Sequence, residues 1–116
     1  MLEDAHRQAA LELEHLIDVA GDPAVDAQLG RGLIELYWGA AFHWDAYGCQ
    51  RKHGKHKETH AHLVSYLREI GELGMSDVWN LLDDKRRGGW YGHHTSIDDV
   101  TEMRGFWQDV RSWATS

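Results

Sequence analysis

The longest apolar stretch of the chain is Gly32–Cys49, reading GLIELYWGAAFHWDAYGC. Leu33, Leu36, Tyr37, Ala40, Ala41 and Trp44 recur at three- and four-residue intervals, the spacing of one helix face. Ile34, Trp38 and Phe42 fall on the flanking faces. A helix that is apolar around most of its circumference must be surrounded by other helices, so this stretch is predicted to be the centre of a bundle. Beyond its first residue it holds two glycines, Gly39 and Gly48, each lowering helix propensity by roughly 1 kcal/mol relative to Ala. Gly39 lies mid-helix, where a glycine lets another backbone come close. Gly48 reads as the beginning of the helix exit.

The other segments are shorter and more clearly two-sided. Residues 3–20 read as an amphipathic helix with Ala9, Leu13, Leu16, Ile17 and Ala20 inward and Glu12, Glu14 and Asp18 outward. Gly21-Asp22-Pro23 stops it, because the residue before a proline disfavours helical backbone. A new helix starts near Ala24, bends around Gly30–Gly32 and runs into the central stretch. Residues 50–57, QRKHGKHK, are polar and centred on Gly54, as in an exposed loop. Thr59 is placed to cap a third helix through Leu63, Tyr66, Leu67 and Ile70, which ends at Gly71 or Gly74. Ser76 is placed to cap a short fourth, with Val78, Trp79, Leu81 and Leu82 inward. With three glycines in nine residues, Arg86–His94 is not expected to be helical throughout. Thr95 or Ser96 caps a last helix with Asp98 and Asp99 in its first turn, where acids suit the helix dipole. Its stripe is Ile97, Val100, Met103, Trp107, Val110 and Ala114. The sum is an all-α, four- to five-helix up-and-down bundle. The central helix should lie antiparallel to the third and touch the last.

Composition narrows the setting. The 116 residues suit one domain, 1–116, with a core supplied by six Trp, four Tyr and two Phe. One proline and few β-branched runs argue against a sheet. The single cysteine, Cys49, allows no internal disulfide. The beginning of the sequence lacks the basic-then-apolar pattern of a signal peptide, and no run is long enough to span a membrane. A cytoplasmic protein with no membrane contact is expected. The net charge of −7 speaks against a general nucleic-acid coat. It is unevenly spread: residues 1–30 hold seven acids against Arg7, whereas residues 51–60 hold four bases against Glu58. Lys85-Arg86-Arg87 is a second basic knot. Such patches suit phosphates, or simply solvent.

Three constellations could carry chemistry. His53, His56, His60 and His62 cluster in sequence, and His56 and His60 have the four-residue spacing of metal ligands on a helix. The glutamate of His56-Lys57-Glu58-Thr59-His60 is misplaced for a zinc-protease motif, and Lys55 and Lys57 repel a cation. No metal or other cofactor is therefore assigned. A metal-dependent bundle enzyme using His56, His60 and a distant His43 or His93 stays as an alternative. Second, Arg86–His94 combines arginines with histidines in a glycine-bearing segment. RNA cleavage by its own 2′-hydroxyl needs an acid and a base, which histidine supplies. It also needs cations around the crowded phosphate, which arginine supplies. Against this, Arg86 or Arg87 could pair with Asp83, Asp84 or Asp99 and merely tether the loop, with Trp90 and Tyr91 plugging the bundle. Third, Tyr37, Trp38, Trp44, Tyr47 and Trp90 could stack bases; helical spacing assigns all but Tyr47 and Trp90 to the core. Cys49, beside Arg51 and Lys52, has no adjacent His–carboxylate pair and reads as a passive thiol.

The order of these segments resembles a known family. Tyr37-Trp38-Gly39-Ala40-Ala41-Phe42-His43 is similar to the Tyr-Tyr-Ala-Ala-Phe-His stretch of HEPN domains. Thr59-His60 followed by Leu63 resembles the Thr-His start of their next helix. Leu82 with Arg86-Arg87-Gly88-Gly89-Trp90-Tyr91-Gly92 resembles their Leu…Arg-x-x-Ala-Asp-Tyr-Gly segment. The resemblance implies a small helical bundle, commonly a homodimer, often paired with a minimal nucleotidyltransferase. Catalytic members of the family are metal-independent endoribonucleases, including toxins, using an Arg and a His with four to six residues between them, brought together across the dimer. On this chain that implies Arg87 with His93, or Arg86 with His93, as the catalytic pair. Arg86, Trp90, Tyr91, His94, His60, Lys52 and Lys55 would bind RNA or a nucleotide. A non-catalytic module docking a nucleotidyltransferase or another protein is the alternative.

Overall fold

The computed structural model describes residues 3–20, 30–56, 60–91 and 97–116. Among them the chain is all helical, with no strand: α1 Glu3–Ala20, α2 Gly30–His53, a 3-10 turn His60–His62, α3 Leu63–Glu69, α4 Leu73–Tyr91 and α5 Ile97–Thr115. The body measures 40 × 25 × 21 Å. No helix among the described residues is long and apolar enough to cross a membrane.

As the pattern requires, α2 is the centre. Leu33, Ile34, Tyr37, Ala40, Ala41, Trp44 and Cys49 are all buried, and they point in several directions around the axis. Helices α1 and α5 make the main contacts with α2, and α4 also packs against it. The short α3 sits chiefly on α4 rather than along α2 as expected, because α1 and α5 already occupy the flanks of the central helix.

Helix α1 is turned relative to its apolar stripe. The buried row is His6, Ala10, Glu14 and Ile17, while Leu16 is 50% exposed. Two ionisable side chains can face the core because α2 supplies their partners. Trp44 Nε1 donates to Glu14 Oε2 at 2.9 Å. Arg111 of α5 reaches Glu14 Oε1 at 3.1 Å, so one carboxylate ties three helices. Glu14→Ala is expected to cost about 1–3 kcal/mol, chiefly by stranding the buried indole N–H. Urea denaturation at neutral pH measures it.

Gly39 and Gly48 of α2 both depart from the roles expected of them. A Cβ at Gly39 would meet only the flexible tip of Leu13, at 3.1 Å. A Cβ at Gly48 would overlap the Trp113 ring and lie 3.0 Å from the Ala114 Cα. Gly48 is thus where α2 and α5 approach most closely, and α2 continues past it to His53.

Helix α3 ends as the glycine predicts. Gly71 takes φ +84°, Glu72 N–H reaches Leu67 O at 2.8 Å, and Gly71 N–H reaches Arg68 O at 3.1 Å. This double closure satisfies the last carbonyls of the helix. Helix α4 departs from expectation at both ends. It begins at Leu73, so Ser76 lies inside it and is buried, its hydroxyl donating to Val64 O across the hairpin at 3.0 Å. It also runs through Gly88 and Gly89 to Tyr91. Tertiary anchoring of its last turns by Lys85 and Arg86 outweighs the propensity cost of two glycines. Helix α5 carries Asp98 and Asp99 in its first turn and buries Val100, Met103, Val110 and Ala114, as read from the sequence. The expected caps at Thr59 and Thr95 or Ser96, and the helix start near Ala24, lie outside the described residues.

Candidate functional site

Successive residues of a helix point about a third of a turn apart, so three adjacent cations on α4 meet three different surroundings. Lys85 turns to α5, its Nζ 2.7 Å from Asp99 Oδ1 and 3.0 Å from Glu102 Oε2. Those hydrogen bonds hold its pKa above the ordinary lysine value. Arg86 turns to α2. Its Nε donates to the Glu35 carboxylate at 3.1 and 3.2 Å, and its guanidinium carbon sits 4.0 Å from the Trp38 ring centre. Trp38 is stacked on Phe42, with ring planes 7° apart, and touches Trp79. Arg87 turns outward, paired with Asp84 one turn back; both side chains are about 60% exposed.

Of the tethers the sequence suggested, Arg87–Asp84 forms. Asp99 goes to Lys85 instead, and the partner of Arg86 is Glu35, which sequence reasoning missed. The signal was the presence of Glu35 and Trp38 one turn apart on α2, where a single arginine can engage both. Trp90 and Tyr91 lie in the last turn of α4, but their side chains are outside the described set, as are His93 and His94.

The second basic patch is elsewhere. Arg51 donates to Ala114 O at 3.0 Å and to Ser116 O at 2.6 and 3.0 Å. Lys52 Nζ reaches Ser116 Oγ at 2.9 Å and stands 5.6 Å from the Trp113 ring. Both cations therefore close the carboxyl end of α5, where the helix dipole favours positive charge. Lys55 is exposed, and its carbonyl accepts from the Tyr66 hydroxyl at 3.0 Å. His60 opens the 3-10 turn. Lys85 meets the first turns of α5 and Lys52 its end, so the two patches are separated by the length of that helix, roughly 28 Å at 1.5 Å per residue.

The histidines regroup. His53 Nε2 pairs with Glu72 Oε1 at 3.0 Å, and the other oxygen of Glu72 accepts from Trp113 Nε1 at 3.0 Å. His62 is exposed. His56 lies past the end of α2, not on a helix shared with His60, and joins His43 around a residue the sequence did not single out, the fully buried His6 of α1. His6 and His43 share a hydrogen bond between their Nδ1 atoms at 2.9 Å. The ring of His56 stands edge-on to His6 with centroids 4.7 Å apart, and its Nδ1 bonds Gln50 Oε1 at 2.7 Å. Thirty-seven residues separate His6 from His43, so no local motif could show the pairing. Among the described residues no group of three or more His, Cys, Asp or Glu is placed to hold a metal ion.

One buried pair lies toward the carboxyl end of α2. Asp45 is fully buried, its Oδ1 facing Cys49 Sγ at 3.7 Å, and its Oδ2 has no hydrogen-bond partner among the described residues. Burial pushes the Asp45 pKa up to about 7, and the charge of Glu72 adds to it. Burial, with Asp45 beside it, also pushes the Cys49 thiol well above its ordinary value. Arg51 and Lys52 are turned to the end of α5 and do not activate it; Cys49 is a core residue. Comparison of the chain with family models, with curated proteins and with solved structures returns no match.

Proposed function

We propose that this bundle is a HEPN-like protein that binds RNA or a nucleotide at the end of α4 and cleaves RNA without a metal. The observation that carries the reading is the placement of the two arginines. Arg86 and Arg87 occupy the last turns of α4, directly ahead of the segment containing His93, and Arg87 is well exposed. In this reading Arg87 holds the scissile phosphate with its forked donors. His93 takes the 2′-hydroxyl proton and returns one to the leaving oxygen. His94, Trp90 and Tyr91 supply neighbouring contacts. Lys52, Lys55 and His60 would meet another part of a long ligand, Lys52 standing at the far end of α5. A homodimer and a minimal nucleotidyltransferase partner belong to the same proposal, as does a cytoplasmic location.

The test is incubation of labelled single-stranded RNA with protein in EDTA. Wild-type protein is expected to leave a cyclic phosphate. Arg87→Ala and His93→Ala are each expected to slow cleavage by about 10²–10⁴-fold with unchanged helical content. Equal cleavage by either variant would remove the assignment. A second reading, a non-catalytic docking module, draws on the exposed Leu73 and Leu81 of α4. Absence of cleavage together with stoichiometric co-purification of a partner would favour it.

A further inference from the structure

The two arginines at the end of α4 are held very differently, and only one is built into the fold. Arg87 makes an exposed ion pair with Asp84, of a kind worth little and easily exchanged. Arg86 is gripped twice, by the Glu35 carboxylate at Nε and by the face of Trp38 beneath the guanidinium. Neither grip uses the terminal nitrogens. Among the described residues nothing accepts from Arg86 Nη1 or Nη2, although the side chain is only 28% exposed. A guanidinium fixed at Nε and on one face loses little freedom when its outer fork engages a ligand. That fork matches two oxygens of a tetrahedral anion.

We infer that Arg86 is an oxyanion-binding fork, preorganised by Glu35 and Trp38 to take a phosphate group through Nη1 and Nη2. The inference rests on the proposed RNA-binding reading and refines it. Arg86 adds a second, fixed phosphate contact beside the exposed Arg87, and Glu35 and Trp38 are positioning residues rather than ligand contacts. The phosphate could belong to an RNA backbone or be free in solution, and the same nitrogens would hold either.

Glu35 gives the test its sign. If the site were only a field of positive charge, removing the Glu35 carboxylate by any substitution would strengthen anion binding. If Glu35 aims the fork, Glu35→Gln, which keeps an acceptor for Nε, should bind as well as wild type or better. Glu35→Ala, which frees the guanidinium, should then bind about tenfold more weakly than Glu35→Gln despite carrying the same charge. Arg86→Lys keeps the charge and loses the fork, and should weaken binding at least about tenfold.

The experiment measures polarisation of a labelled single-stranded RNA oligonucleotide and calorimetric titration with inorganic phosphate. It compares wild type, Glu35→Gln, Glu35→Ala, Arg86→Lys and Arg87→Ala, with folding checked by circular dichroism. The expected order for RNA is Glu35→Gln at or above wild type, with Glu35→Ala and Arg86→Lys well below. Binding by Arg86→Lys at wild-type strength, or by Glu35→Ala as tightly as Glu35→Gln, overturns the inference. Loss in Arg87→Ala alone would then leave the RNA-binding reading intact. Arg86-dependent binding of phosphate without binding of RNA keeps the fork and overturns the RNA reading. Wild-type binding of neither overturns both.

Discussion

Replacing Gly48 with Ala is expected to lower the unfolding free energy by about 2–3 kcal/mol, whereas Gly39→Ala should be neutral or slightly stabilising. Both substitutions gain roughly 1 kcal/mol of helix propensity. They differ in what the new methyl meets. At Gly39 it meets Leu13 Cδ1 at 3.1 Å, the far end of a side chain that can swing away. At Gly48 it meets an indole ring and, at 3.0 Å, the backbone of Ala114. Neither can yield unless α5 moves off α2. That movement would open the packing around Cys49 and Val110 and shift Trp113 away from Glu72. Overpacking of this kind costs about 1–3 kcal/mol before any loss of neighbouring contacts. Urea unfolding of the two variants side by side measures the contrast. Equal stability would mean that the α2–α5 approach is looser than these distances imply.

Stability should also fall as pH rises from about 4 to 7, through Asp45. Its folded pKa is about 7, raised from 3.8 by burial. Between these values the unfolded chain has lost the proton and the folded chain keeps it. The folded state therefore binds more protons, and the free energy of unfolding decreases with rising pH. The favourable state is fully present below the unfolded pKa and is lost by the time pH passes the folded one. Each tenfold difference in proton affinity between the two states corresponds to about 1.4 kcal/mol, so the whole change is on the order of 4 kcal/mol. Asp45→Asn removes the ionisation while keeping an oxygen for the Cys49 thiol. Subtracting the variant's pH–stability curve from that of wild type isolates the effect of Asp45 from every other titrating group. The difference should be near its lowest value at pH 4 and grow in favour of the variant up to about pH 7. Parallel curves would show that Asp45 ionises freely in the folded chain.

Much of the architecture was legible because it depends on short-range pattern. Helix α2 announces itself by being apolar all round, and Gly71 is a stop signal that acts within six residues. The α5 stripe is intact in the sequence. What could not be read depends on pairing between distant positions. His6 and Glu14 look like solvent-facing residues until His43 and Trp44 are brought beside them, and the resulting rotation of α1 leaves Leu16 outside. Gly88 and Gly89 read as breakers until Lys85 and Arg86 are seen to fasten the end of α4 to two other helices. The same holds for the candidate site. The run Lys85-Arg86-Arg87 was visible as charge, but the different fates of the three cations follow from Asp99, Glu35 and Asp84. Only the last of these is a near neighbour in sequence.

The position of α2 also bears on how the molecule comes apart. Helix α1 leans on α2, and α5 lies along it for much of its length. The α3–α4 hairpin closes on itself through Gly71 and the Ser76–Val64 bond. Stability in proteins is commonly partitioned into units that open separately. Here the hairpin has the local closure such a unit needs, and α1 can detach by giving up one main partner. Helix α2 has no comparable exit, because releasing it exposes the inner faces of its neighbours together. The amides in the buried middle of α2, around residues 37–44, are therefore set to exchange with solvent only when the whole fold is lost.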